Sequence, residues 1–137
     1  MQIFRAMQVS ASGLTAERFR LDLIANNIAN VHTTRTEQGG PYLRRSAVFA
    51  ERLQEARRGV GGGVRVVAVS EDRTPPRLVF EPEHPDANAE GYVAYPNINI
   101  VQEMVDMITA TRAYEANVTA LNAAKSMFLK ALEIGRG

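Results

Sequence analysis

The chain has 137 residues, enough for one compact domain or a small domain with long appendages, and too few for two full domains. Its 16 Lys+Arg against 15 Asp+Glu leave a formal charge of +1, so net charge alone can hold neither nucleic acid nor an anionic membrane. The absence of cysteine excludes a disulfide frame, a thiol nucleophile and cysteine-ligated zinc. No apolar run approaches the roughly 18 residues of a membrane span, and the start, MQIFRAMQVSASG, breaks its apolar residues with Arg5, Gln8 and Ser10, leaving no signal-peptide core.

Breakers divide the chain into three parts. Every proline lies between Pro41 and Pro96, and apart from Gly13 and the last few residues the glycines lie between Gly39 and Gly91. The expectation is an α+β fold: an N-terminal helix over residues 1–31, a small irregular β-rich middle over 32–96, and a C-terminal helix over 97–137, with the two long helices pairing as a coiled-coil bundle. In the N-terminal part Met7, Leu14, Leu21 and Ile28 are seven apart, while the companion series Ile3, Ile24 and Val31 is interrupted by Ser10 and Glu17. Phe4, Ala11 and Ala25 widen the apolar surface towards a second neighbour.

The middle reads as strand and turn. Leu43 to Leu53, Val64 to Val69 behind Gly61-Gly62-Gly63, and Arg77 to Phe80 behind Pro75-Pro76 are candidate strands, and PEHPDANAEG from Pro82 to Gly91 is a turn or loop. The C-terminal part carries the clearest period. Ile100, Met107, Tyr114, Leu121 and Phe128 alternate in 4,3 spacing with Met104, Thr111, Val118, Lys125 and Leu132, the narrow stripe of a helix whose partner is another helix. Asn99 with Gln102 reads as a capping box and Gly135 as the stop.

Chemistry has little support. His84, Asp86 and Glu83 sit far in sequence from the other histidine, His32, and form no HExxH-like spacing. Ser10, Ser12 and Ser46 lack a neighbouring histidine or a GxSxG elbow. The glycine run from Gly59 to Gly63 lacks the Lys-Ser/Thr ending of a phosphate loop and reads as a hairpin tip or hinge. The basic pairs Arg44-Arg45 and Arg57-Arg58 come with few aromatic partners, only Tyr42 and Phe49, and no nucleic-acid motif. No enzyme, cofactor, metal or small-molecule substrate is expected.

Asn26, Asn27 and Asn30 crowd the end of the first helix, where asparagine is unfavourable by several tenths of a kcal/mol each. Asn30 suits a left-handed cap, and Asn27 with Asn30 could present amides to a neighbouring chain. Their segment, LIANNIAN from Leu23 to Asn30 followed by Thr33-Thr34, resembles the N-terminal signature of the bacterial flagellar rod and hook axial proteins. PNINIVQEMVDMITATRAYEAN, from Pro96 to Asn117, resembles the matching signature of their final helix. Thr33 to Phe49 and His84 to Asn97 are similar to a short, proximal-rod branch of that family, although His32 departs from the small or polar residue expected there.

The resemblance implies a structural subunit of the flagellar basal-body rod. It would leave the cell through the flagellar type III export apparatus without a cleaved signal, and assemble helically with copies of itself and other rod proteins into the drive shaft that crosses the periplasm. The rival reading is a soluble coiled-coil adaptor or export chaperone. The expected assembly interface is Met7, Leu14, Leu21, Asn27, Ile28 and Asn30 on the first helix, with Ile100, Met104, Met107, Tyr114, Val118, Leu121, Phe128 and Leu132 on the last. Single seams bury little apolar area against the entropy of ordering long helices, so the ends are expected to stay mobile until neighbours complete the core.

Overall fold

Residues free of proline and almost free of glycine at both ends become helices. The structure, a computed structural model, describes residues 2–52 and 62–137. Helix α1 runs Gln2–Ala29, followed by strands β1 (Arg45–Glu51), β2 (Val64–Glu71), β3 (Arg77–Phe80) and β4 (Tyr92–Tyr95), and then by helix α2 (Ile100–Arg136). The end of the first predicted strand at Leu53, the pair Arg57-Arg58 and the glycines Gly59 and Gly61 lie outside the described residues. No helix among the described residues is long and apolar enough to cross a membrane.

The expected α+β class with long terminal helices is the observed one. The helices lie antiparallel: Asn27 meets Glu103, two heptads earlier Gly13 faces Asn117, and near the far end Phe4 packs on Phe128 with ring centroids 4.9 Å apart. At 37 residues, α2 is about 55 Å long, and it outruns the 28 residues of α1 by more than one turn.

Helix ends differ from expectation in three details. Asn99 caps α2 by accepting from the amides of Val101 and Gln102, but the Gln102 side chain donates to Asp106 Oδ1 at 3.1 Å instead of reaching back, so only half of the capping box forms. The helix continues through Gly135 to Arg136, with Gly137 as its cap. Asn30 is not a left-handed cap, because no described non-glycine residue has positive φ; its Nδ2 donates to Asn26 O and its Oδ1 accepts from Thr33 Oγ1.

The three candidate strands are present, and β4, for which no sequence signal was taken, completes a second hairpin. β1 pairs antiparallel with β2, with an irregularity between Val48 and Phe49, and β3 pairs antiparallel with β4; each is a separate two-stranded sheet. Such ribbons are marginal alone, and both lean on the helices or on α1's trailing loop. Ser12 Oγ on α1 accepts from Val64 N at 3.1 Å and donates to Val9 O at 2.7 Å. Gly63, at φ +78°, allows this approach, since a Cβ there would run into Ser12 Oγ. Residue for residue, the buried apolar groups lie mainly on the helices, Ala16, Leu23, Ile24, Ala110 and Ala124, with Val93 and Tyr42 below them.

Candidate functional site

A polar cluster ties the base of the helix pair to the middle. It begins with Asn27, placed on the face of α1 that points between β1 and α2 and 1% exposed. Its Oδ1 accepts from Arg45 N at 3.0 Å and from Tyr42 OH at 2.9 Å. Its Nδ2 donates to Arg45 O at 2.8 Å and to Glu103 Oε2 at 3.3 Å. Both donors and both lone pairs of the amide are therefore used.

Glu103, in the first turn of α2 and also 1% exposed, accepts from Arg44 Nε through its other oxygen. Arg44 reaches on to Asp106 at 3.7 Å. A carboxylate this buried is tolerable only because a guanidinium and an amide share it, and its place near the helix N-terminus adds a favourable dipole. Burial pushes the Tyr42 hydroxyl above its ordinary pKa, with Arg45 opposing and Glu103 reinforcing the shift. The Arg45 guanidinium also lies 5.8 Å from the Tyr42 ring centroid. The arrangement holds three segments in one geometry.

A second clamp joins the loop after α1 to the β3–β4 turn. Asp86 accepts from Thr34 Oγ1 at 2.7 Å and pairs with Arg35, and the Thr34 hydroxyl, followed by Arg35, holds its carboxyl below the ordinary value. Asp86 N donates to His84 Nδ1 at 3.0 Å. His32 and His84 both pack edge-on against Tyr95, at 6.2 and 6.3 Å, and Tyr95 OH donates to Glu81 at 3.0 Å, which raises the Tyr95 pKa. Among the described residues no group of three or more His, Cys, Asp or Glu side chains is placed to hold a metal ion.

The seam residues divide. Met7, Leu14, Leu21 and Ile28 of α1 and Met107, Tyr114, Leu121 and Phe128 of α2 are half-buried on the stripes that carry the contacts between the two helices of one chain. The companion stripe of α2 is Glu103, Ala110, Asn117 and Ala124, one residue before the expected Met104 series, and three of these four are buried. Val118 is half-buried beside the seam, and Thr111 and Lys125 are exposed. Ile100, Met104 and Leu132 are exposed, and with Val101, Val105 and Ile108 they leave the outward face of α2 rich in uncovered apolar groups. Asn27 faces inwards and Asn30 is half-buried in its own loop, so the two do not share an outward face. Glu103, which completes the cluster, was not picked out by sequence, and Tyr42 and Arg44 were weighed there only as a basic patch with an aromatic partner; the one signal for Glu103 was a charged residue inside the C-terminal signature segment.

Two long helices thus bracket small β-hairpins, with apolar faces left uncovered on α2. The family described as flagella basal body rod protein matches residues 7–35, and that described as flagellar basal body rod FlgEFG protein C-terminal matches residues 89–134. The chain is 47% identical to the flagellar basal-body rod protein FlgC of Borreliella burgdorferi, with 100% of each chain covered. It is 45% identical to that of Bacillus subtilis and 40% identical to that of Escherichia coli O6:H1, in both cases over 99% of this chain and 100% of the relative. The chain belongs to the FlgC family of flagellar basal-body rod proteins.

Proposed function

We propose that this chain is a structural subunit of the proximal part of the flagellar rod, exported by the flagellar type III apparatus without a cleaved signal and assembled helically with copies of itself and other rod proteins into the drive shaft. The observation that carries the reading is the similarity to FlgC proteins along essentially the whole of both chains. The structure supports it in a separate way. Val101, Met104, Val105 and Ile108 stand exposed on one side of α2, an apolar stripe that a solitary subunit would bear at a cost in solubility and that neighbouring helices would cover. Met7, Leu14, Leu21, Met107, Tyr114, Leu121 and Phe128 form the seam that gives each subunit its hairpin, and Ile100, Met104, Val118 and Leu132 extend it towards neighbours. No catalytic step, cofactor, nucleic acid or membrane insertion enters this role.

The test is deletion and complementation. Cells lacking the chain should assemble no complete rod and should not swim, and the tagged chain should restore both and be found in purified basal bodies. Swimming with intact rods in its absence would defeat the proposal. Finding it bound only to cytoplasmic export substrates would favour the chaperone reading.

A further inference from the structure

Both helices carry a second 4,3 stripe that the chain itself does not cover. On α1 it starts at Gln8 and Ala11 and repeats every seven residues to Ala29; on α2 it runs from Val101 and Val105 to Ser126, and every residue on both stripes is exposed. At roughly 100° per residue, the α2 stripe lies opposite the side that faces α1, and the α1 stripe lies beside the seam and away from the β1–β2 hairpin.

Each stripe has an ionic pair at its centre. Arg18 and Asp22 occupy the α1 stripe, and Arg112 and Glu115 the α2 stripe; none of the four side chains forms an ion pair or hydrogen bond among the described residues. Laid antiparallel, the stripes place Arg18 against Glu115 and Asp22 against Arg112 in adjacent layers. Laid parallel, the same four charges meet as Arg18 with Arg112 and Asp22 with Glu115, two repulsive pairs. The antiparallel register also sets small residues against branched ones, Ala25 against Ile108 and Ala29 against Val105, the complementarity that lets helices approach closely.

We infer that the outer stripe of α1 on one copy docks antiparallel on the outer stripe of α2 on a second copy of this chain, in the register that pairs Arg18 with Glu115 and Asp22 with Arg112. The inference rests on the proposed rod role and adds the lateral contact to it. The two stripes differ and sit on different helices, so the contact is heterologous: each copy offers one stripe forward and one backward, and the array propagates instead of closing as a dimer. Within one chain Asn27 faces Glu103, whereas in the lateral contact Asp22 faces Arg112. Successive copies are thus displaced along the helix axis by about one turn, roughly 5 Å.

The test uses two full-length variants, Arg18→Glu with Asp22→Arg, and Arg112→Glu with Glu115→Arg. Each keeps the net charge and the helix spacing of opposite charges, and unchanged circular dichroism verifies the fold. In either variant alone both layers become repulsive, and self-association followed by sedimentation at low salt should weaken roughly tenfold. In an equimolar mixture every contact between unlike chains is attractive again, and association should recover to within about twofold of the unsubstituted chain. A mixture no better than its components, or an unsubstituted chain that does not self-associate at any attainable concentration, overturns the inference. Presence of the chain in basal bodies, scored separately, decides the rod role, so the two readings fail independently.

Discussion

Replacing Asn27 by alanine removes the centre of the polar cluster without touching either helix seam. Arg45 N and Tyr42 OH lose their acceptor, and Arg45 O and Glu103 Oε2 lose a donor. At about 1–3 kcal/mol for each buried group left unpaired, with partial relief by water entering the space, the loss should be roughly 2–5 kcal/mol. Urea unfolding of the purified chain, followed by helical ellipticity, measures it directly, and Asn26→Ala, at an exposed side chain one residue away, should change stability by less than about 0.5 kcal/mol. Asn27→Asp sharpens the argument, because it keeps the shape but points a carboxylate at Glu103 Oε2, where the amide nitrogen now stands 3.3 Å away. Burial and the like charge raise the folded pKa of that new carboxyl above its unfolded value. The variant is then penalised at neutral pH, and the penalty shrinks as pH falls through the folded pKa towards the unfolded value. An Asn27→Ala change that costs no more than Asn26→Ala, or an Asn27→Asp penalty that does not vary with pH, would refute the assignment of Asn27 as a buried four-bond linker.

Two further changes probe the joints. Gly63→Ala adds a Cβ against Ser12 Oγ at a residue with φ +78°; it should cost about 1–3 kcal/mol through strain and loosening of the β1–β2 hairpin, whereas Gly40→Ala, at φ +76° with open space around it, should show the strain alone, and equal losses at the two sites would refute the close-approach argument. Asp86 has a folded pKa held below its ordinary 3.8 by Thr34 and Arg35, so its contribution to the loop clamp is present above that value and is lost as pH falls through the lower folded value. Amide exchange over residues 84–91 should therefore accelerate on acidification in the parent chain and be fast and nearly pH-independent, after correction for intrinsic rates, in Asp86→Ala; identical profiles would count against the clamp.

The long helices and three strands were legible because each depends on a local pattern: absence of breakers, heptad spacing, or a β-branched run beside glycine or proline. The inner stripe of α2 was not. Ranking by hydrophobicity selects Met104, Val118 and Leu132, yet Glu103, Ala110, Asn117 and Ala124 turn inwards. Small residues let the helices approach, and the one charged group among the four is matched by Arg44 and Asn27, from segments 59 and 76 positions away. Satisfaction of a buried carboxylate by distant partners leaves no trace in a periodicity. Strand β4, four residues long with a single β-branched residue, Val93, carries no β-branched run of its own and is defined by its register with β3. The same long-range pairing explains Asn27, whose helix-unfavourable amide reads locally as a group offered to a neighbouring chain and is in fact bound within its own chain through four hydrogen bonds.

Packing along the hairpin is graded, and the gradient bears on how such a subunit would enter an assembly. At the base, where α1 ends and α2 begins, Leu23, Ile24, Asn27, Val93 and Glu103 are buried, and Asn27 and Glu103 are hydrogen-bonded to Arg45 and Arg44 of the middle. Towards the far end the Phe4–Phe128 pair joins the helices, and Leu129, Leu132 and Ile134 stand exposed on α2. Opening free energy follows local burial and satisfied hydrogen bonds, so the base is the lasting part of the subunit and the far end is the part that frays. On this argument the division runs across both helices, with their base halves grouped with the β-hairpins, and amide exchange would distinguish it from the expectation of two ends mobile throughout. On the proposed role, a subunit arriving at the rod brings a preset base, held in register by directional bonds that tolerate no slip by a heptad, since Ala110 in place of Glu103 would leave the Asn27 amide and the Arg44 guanidinium unmatched. Its far end is stabilised last, by neighbours covering the apolar residues that α1 is too short to reach.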